Sequence, residues 1–297
     1  MGWLVGAAAV GLGASLPTGL AWVFTHPPRR LHKANPSRFG IPFQRVRLRT
    51  ADDLTLSAWF VPAPGDAEGS GARPRAVLVM CHGYYGNRAC LLPHLRFLHR
   101  AGYAALLFDF RAHGWSGGRL ATFGCKETLD LAAALDWVVE RPELRDLPLA
   151  VVGESMGASV ALMTAAEDER VRAVVADSAF ARFDSAVQGR LRLAFGRLGD
   201  VMRGPTQRVG ERILGVRCEE IAPVDAIGRI APRPVLLIHG THDYLIPSEN
   251  AHRLRDAAPG NAALWEVPGA YHTGAIVVAP DEYERRVLDF LETALAV

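Results

Sequence analysis

Lysine is nearly absent from this chain: only Lys33 and Lys126 among its 33 Lys and Arg residues are lysines. Codon usage in a GC-rich genome produces such a bias, so arginine content alone assigns no role. A large excess of either charge is also missing, since 33 basic residues face 31 acidic ones and leave a formal charge of +2. Nothing in that balance points to nucleic acid as a partner. The four cysteines (Cys81, Cys90, Cys125, Cys218) have no C-x-x-C spacing and no histidines at zinc-finger distance. Neither a metal site nor a disulfide framework is expected. The thiols read as mostly buried and reduced, which favours a reducing compartment. No internal repeat is visible, and 49% hydrophobic with 22% charged residues are globular proportions, which excludes disorder and coiled coil. A chain of 297 residues buries a large core unaided.

Charge is missing altogether from Met1 to Phe24, and His26-Pro27-Pro28-Arg29-Arg30 ends that stretch. As a helix it would rise roughly 36 Å, enough to cross a bilayer core. Trp22 and Phe24 stand where interfacial aromatics belong, with Arg29, Arg30, Lys33 and Arg38 beyond them. A cleaved signal peptide usually opens with Lys or Arg, and none precedes this run. Five glycines and Pro17 make it a poor helix in water, against a helix docked on the domain. Residues 1–24 are therefore expected to anchor the protein in a membrane. Residues 25–42 would be a connector, and residues 43–297 a domain on the cytoplasmic side. A secreted protein and a docked helix are the alternatives.

Beyond the connector, period-2 patterns at Gln44–Thr50 and Leu54–Val61 predict a leading hairpin. Apolar runs then alternate with helical spacing. The strands are expected at Ala76–Cys81, Tyr103–Asp109, Leu149–Val152, Val171–Asp177, Pro234–His239 and Ala262–Val267. Unbroken apolar strands separated by helices mean an α/β fold, a mostly parallel sheet of about eight strands covered on both faces. Residues 180–229 interrupt the alternation after the sixth strand and read as a small helical cap.

Gly153-Glu154-Ser155-Met156-Gly157 is a G-x-S-x-G between a predicted strand and a predicted helix. So sharp a turn needs small residues on both sides, and it lifts the serine hydroxyl out of the sheet to meet a base. Histidine and acid candidates follow downstream. His272 stands in a loop after the last strand, whereas His94, His99 and His252 fall in helices and His82 and His239 end strands; His113 and His242 are the rivals, and His242 adjoins Asp243 too closely to swing across to it. Asp243 follows the seventh strand, with Asp177 and Asp225 as competitors. Arg111, His113 and Ser116 read as loop-bracing residues.

With these segments in order, the chain from about Phe43 resembles the α/β-hydrolase superfamily. More narrowly, it is similar to prolyl-oligopeptidase-like serine hydrolases and their membrane-anchored α/β-hydrolase-domain relatives. Cys81-His82-Gly83-Tyr84-Tyr85-Gly86 resembles the HG loop, and Asp109 to Ser116 the D-x-R-G-H-G-x-S motif with Ala112 in place of a glycine. His239 to Pro247 matches the acid loop, and Ala270 to Gly274 the histidine loop. The resemblance implies Ser155 as nucleophile, His272 as base and Asp243 as its orienting acid. It implies an oxyanion hole from the backbone amides of Tyr84 and Met156. Tyr85, Phe180 and Phe183 are candidates for substrate contact, and Leu191, Leu193, Phe195 and Leu198 of the cap for an acyl pocket. No cofactor or metal is expected.

The expected activity is hydrolysis of small-molecule or lipid-like carboxylic esters through an acyl-enzyme. A peptidase, a thioesterase or an acyltransferase would use the same residues. A non-catalytic scaffold of this fold typically lacks the serine, the histidine or an elbow glycine, and all are present here. From Arg182 to Arg217 eight arginines face three acids, a positive asymmetry that would steer an anionic substrate or face an anionic membrane.

Overall fold

The computed structural model describes residues 15–31, 33–65 and 74–296. Among them, eight strands form one sheet in the order β1-β2-β4-β3-β5-β6-β7-β8. These are β1 (Gln44–Arg49), β2 (Thr55–Val61), β3 (Val77–Cys81), β4 (Ala104–Phe108), β5 (Leu149–Glu154), β6 (Val171–Asp177), β7 (Val235–Gly240) and β8 (Ala262–Val267). The β1–β2 and β2–β4 pairs are antiparallel, and every other neighbouring pair is parallel. Every residue of β3 and β4 is buried, as expected where helices cover both faces of parallel strands. Edge strand β1 is largely exposed and carries three arginines, charges that discourage edge-to-edge pairing.

The helices are α1 (residues 15–25), α2 (Leu92–Arg100), α3 (Glu127–Val139), α4 (Met156–Glu167), α5 (Phe183–Phe195), α6 (Leu198–Leu214), the single turn α7 (Pro223–Ala226), α8 (Glu249–Ala257), the single turn α9 (Ala275–Val278) and α10 (Pro280–Ala294). Successive side chains of a strand point to opposite faces, and β3 feeds two cores accordingly. Val77, Val79 and Cys81 pack with Leu131 and Leu135 of α3 and Val160 of α4. Leu78 and Met80 pack with Leu95 and Leu98 of α2 and Tyr283 and Leu291 of α10. Cap helices α5 and α6 follow β6, within the segment the sequence marks as a cap.

Register sets the working end of the sheet. Cys81 lies opposite both Phe108 and Gly153, Gly153 opposite Ala176, and Asp177 opposite Ile238. The loops leaving β3, β5, β6 and β7 therefore start at a common level, the carboxyl end where α/β sheets place their sites. Strand β5 runs two residues past the expected Val152, because Gly153 and Glu154 still pair with Ala176 and Asp177.

No helix among the described residues is long and apolar enough to cross a membrane, and residues 1–14 of the expected anchor lie outside those residues. Residues 15–25, helix α1, dock on the domain. Ala21 is buried, and Leu20 and Phe24 pack against the core. Polar tethers hold its end. Ala121 N–H donates to the Thr25 carbonyl at 3.0 Å, and the Tyr84 hydroxyl donates to the Phe24 carbonyl. Arg29 spans to the carbonyls of Gly114, Ser116 and Gly118, and Asn87 donates to Arg30 at 2.9 Å. Glycine and proline make the segment a weak helix alone, but packing on a domain overrides propensity.

Candidate active site

Ser155 occupies the turn between β5 and α4 with φ 53° and ψ −117°, a left-handed conformation that L-residues adopt at a cost. Its amide is tied to the Asp177 carbonyl at 2.8 Å. The flanking glycines are steric necessities. A Cβ on Gly153 would stand 2.5 Å from the Gly157 carbonyl oxygen, and one on Gly157 would stand 2.3 Å from that of Cys81. The chain doubles back so tightly that the start of α4 rests on the end of β3.

Two loops reach this turn. His272, beyond β8, places Nε2 2.8 Å from Ser155 Oγ and Nδ1 2.6 Å from Asp243 Oδ2. A carboxylate only accepts, so Nδ1 carries the proton and Nε2 is free to accept from the Ser155 hydroxyl. Asp243, beyond β7, is 4% exposed, and its Oδ1 accepts from Leu245 N–H at 3.0 Å and Ile246 N–H at 2.8 Å. Burial opposes its ionisation, but hydrogen bonds from His239, His272 and Ile246 N–H outweigh that and hold the carboxyl down to about 2. The structure thus brings Ser155, His272 and Asp243 into one hydrogen-bonded line. Neither competing acid lies on it. Asp177 is buried and accepts from the Ser178 hydroxyl, and Asp225 pairs with Arg182.

His82, His113 and His239 hold loops. His82 Nδ1 lies 2.8 Å from the Gly83 carbonyl while its Nε2 accepts from Phe110 N–H at 3.0 Å. Both contacts need a neutral ring, and burial pushes its pKa down to about 4. His239 Nε2 lies 2.7 Å from the Ile246 carbonyl and 3.4 Å from Asp243 Oδ2, bracing the acid loop from behind. Arg111, His113 and Ser116 brace as the sequence suggests: Ser57 N–H donates to Ser116 Oγ at 2.9 Å, and His113 Nδ1 meets the Arg111 carbonyl at 2.8 Å.

The loop after β3 and the first residue of α4 both adjoin the serine. Gly83 presses on it closely enough that a Cβ there would stand 3.1 Å from Ser155 Cβ. Met156 opens α4, so its N–H has no partner in the preceding turn. A slot beside Ser155 is walled by Phe24, Tyr84, Phe123, Phe180, Phe183 and Val187, with Arg190 at one side. Its free volume is small, about 30 Å³. Among the cap residues proposed for this role, Phe180 and Phe183 do line the slot. Leu191 is buried in the core, whereas Leu193 and Leu198 face solvent. Tyr85 lies outside the lining, its ring 4.3 Å from that of Tyr84. Phe24 and Phe123 escaped the sequence reading as lining residues, Phe24 because it was read within the expected anchor and Phe123 because no motif flags it. Arg190 entered that reading only as one of the eight cap arginines.

A buried polar cluster lies under the turn. Glu154 Oε1 is 3.6 Å from His94 Nε2, which is 3.2 Å from the Tyr283 hydroxyl, and the Asp177 carboxyl is buried beside them. Burial, helped by the charge of Asp177, raises the Glu154 carboxyl to about 8. Burial lowers His94 to about 4 and raises Asp177 to about 6. Glu154 therefore keeps its proton in the folded protein at pH 7 but loses it on unfolding near pH 4.3. Its contribution is whole below about pH 4 and is lost as pH rises towards 8. Glu154→Gln is expected to remove that loss, so the melting temperature of the variant should fall less than that of the wild type between pH 5 and pH 8. Parallel melting curves across that range would contradict it.

A sequence profile described as the alpha/beta hydrolase fold matches residues 76–220. YqkD of Bacillus subtilis is 30% identical over 221 residues, covering 72% of this chain and 70% of its own. The chain belongs to the α/β-hydrolase superfamily. Among curated relatives of this α/β-hydrolase, bem46 of Schizosaccharomyces pombe is 26% identical over 71% of this chain and 64% of its own. The solved esterase Pf2001 of Pyrococcus furiosus superposes with a TM-score of 0.74 at 28% identity, over 91% of this chain and 100% of that one. An acylaminoacyl peptidase of Pyrococcus horikoshii shares the fold, with a TM-score of 0.63 at 18% identity, over 86% of this chain and 42% of that one.

Proposed function

We propose that this α/β-hydrolase cleaves carboxylic esters through an acyl-enzyme on Ser155. The observation that carries the reading is the position of His272, whose two nitrogens reach Ser155 Oγ and Asp243 Oδ2 together. Ser155 Oγ attacks the ester carbonyl while His272 Nε2 takes its proton, and Asp243 holds the imidazolium that forms. The carbonyl oxygen becomes an oxyanion and accepts from the Tyr84 and Met156 amides, each donor being worth about 10²–10³ in turnover. The carbonyl reforms, the carbon–oxygen bond to the alcohol breaks, and His272 returns its proton to the departing alkoxide. Water then attacks the acyl-enzyme by the same route and releases the acid. The likeness to an esterase at 28% identity supports the ester over other acyl substrates.

The narrow slot makes a chain-length prediction. Purified protein should hydrolyse p-nitrophenyl acetate to butyrate with the highest kcat/KM and fall away towards the palmitate. A fluorophosphonate should add its mass to the peptide that holds Ser155. Folded protein that neither turns over these esters nor takes the label would refute the reading.

A further inference from the structure

The arginines of the cap do not share one role. Arg182, Arg192, Arg203 and Arg217 are each spent on a carboxylate: Asp225, Asp200, Asp184 and Glu219 respectively. Arg190 is different. It lines the slot that holds Ser155, it is half-buried, and no carboxylate among the described residues lies within ion-pair distance of it. Aromatic rings hold it instead. The centre of its guanidinium lies 5.0 Å from the Tyr85 ring, 5.5 Å from Tyr84 and 6.0 Å from Phe24. A ring face attracts a cation without neutralising it, so the charge stays available to a ligand.

The neighbouring backbone fixes where that charge stands. A Cβ on Gly189 would lie 1.9 Å from the Leu245 carbonyl oxygen, so α5 rests backbone to backbone on the loop that carries Asp243. Arg190 follows Gly189, and its place relative to the acid loop is set by that contact. The rest of the slot wall, Phe123, Phe180, Phe183 and Val187, offers no counter-charge. A planar fork of N–H donors in such surroundings matches a carboxylate or a phosphate, which accept from it in pairs.

We propose that Arg190 is a specificity-determining residue that selects esters bearing an anionic group a few bonds from the scissile carbonyl. The inference rests on the ester reading above and names the substrate class for it. The anion can be a carboxylate on the acyl chain or a phosphate on the alcohol, since both present oxygen pairs to the guanidinium.

Two pairs of substrates separate these sources. Mono-p-nitrophenyl glutarate is compared with p-nitrophenyl valerate, and 1-butyrylglycerol 3-phosphate with 1-butyrylglycerol in a pH-stat. In one pair the wild type should favour the anionic member by roughly 10- to 100-fold in kcat/KM, the scale of a charge-assisted hydrogen bond. Arg190→Gln should shrink that anionic-to-neutral ratio about tenfold or more, and Arg190→Lys should keep part of it. Added salt should erode it in the wild type. A ratio near one in both pairs, or a ratio that Arg190→Gln leaves intact in protein with wild-type circular dichroism, overturns the proposal. Turnover of the neutral esters without anionic preference overturns the role of Arg190 alone. Absence of any turnover and of fluorophosphonate labelling overturns the ester reading and this inference with it.

Discussion

Ser155→Ala should lower kcat/KM for a p-nitrophenyl ester by roughly 10⁶, to the residual rate that the oxyanion donors and substrate binding support. The size follows from the geometry. A serine hydroxyl at its free pKa is a weak nucleophile, and the 2.8 Å contact to His272 Nε2 is its route to losing a proton. His272→Ala should cost about as much, and the double variant little more than either, because the two residues perform one step. Asp243→Asn is expected to cost roughly 10⁴, since the amide can donate to Nδ1 and turn the imidazole to the wrong tautomer. Steady-state rates on freshly purified protein, with a mock purification from cells that do not express it as the blank for contaminating esterase, are the measurement. Additive losses in the double variant, or a Ser155→Ala variant within tenfold of the wild type, would refute the assignment.

The line of three was legible because each member sits beside a feature with its own sequence signal. Ser155 lies in a turn whose glycines are enforced by contacts under 3 Å, so the motif is a steric statement as much as a pattern. Asp243 and His272 follow strands whose apolar runs are unmistakable, Val235–Gly240 and Ala262–Val267. Strand boundaries elsewhere came out within a residue or two for the same reason, as the all-buried Val77–Cys81 illustrates. What escaped depends on partners distant in the chain. Hydropathy cannot distinguish a lipid tail from the core that receives Leu20 and Phe24, so the docking of residues 15–25 could not be read from it. Helical spacing cannot say that Asp200 neutralises Arg192 while Arg190 keeps its charge among rings. Nor does it separate Phe183, which lines the slot, from Leu193, which faces water.

The largest loss of stability is expected not at the candidate site but behind it, from Arg111→Met. The Arg111 side chain is 3% exposed, and its fork reaches Asp130 at 2.7–3.1 Å and Asp52 at 2.8–3.0 Å. Its own amide also donates to Asp130 at 2.8 Å. One side chain thereby joins the loop after β4, helix α3 and the β1–β2 turn. That loop also carries His113, whose ring packs 5.5 Å from Tyr84. Methionine fills much of the volume but leaves the fully buried Asp130 carboxylate without its counter-ion. Removing one partner of a buried pair typically costs about 3–5 kcal/mol, against about 5–15 kcal/mol for a whole domain. Urea unfolding should show the midpoint falling with little change in slope. Arg111→Lys should recover only part of the loss, because an ammonium cannot bridge both carboxylates as the planar fork does. Adding Asp130→Leu to Arg111→Met should restore much of it, since an apolar pair of similar volume often replaces a buried ion pair at little cost. Asp52→Ala should cost far less, because a pair whose acid is 35% exposed is already weakened by water and Arg111 keeps its bonds to Asp130. A loss below about 1 kcal/mol in Arg111→Met would mean that the fork is no more than a surface ornament of the fold, and a double variant no better than the single one would place the cost in lost hydrogen bonds rather than in the stranded charge.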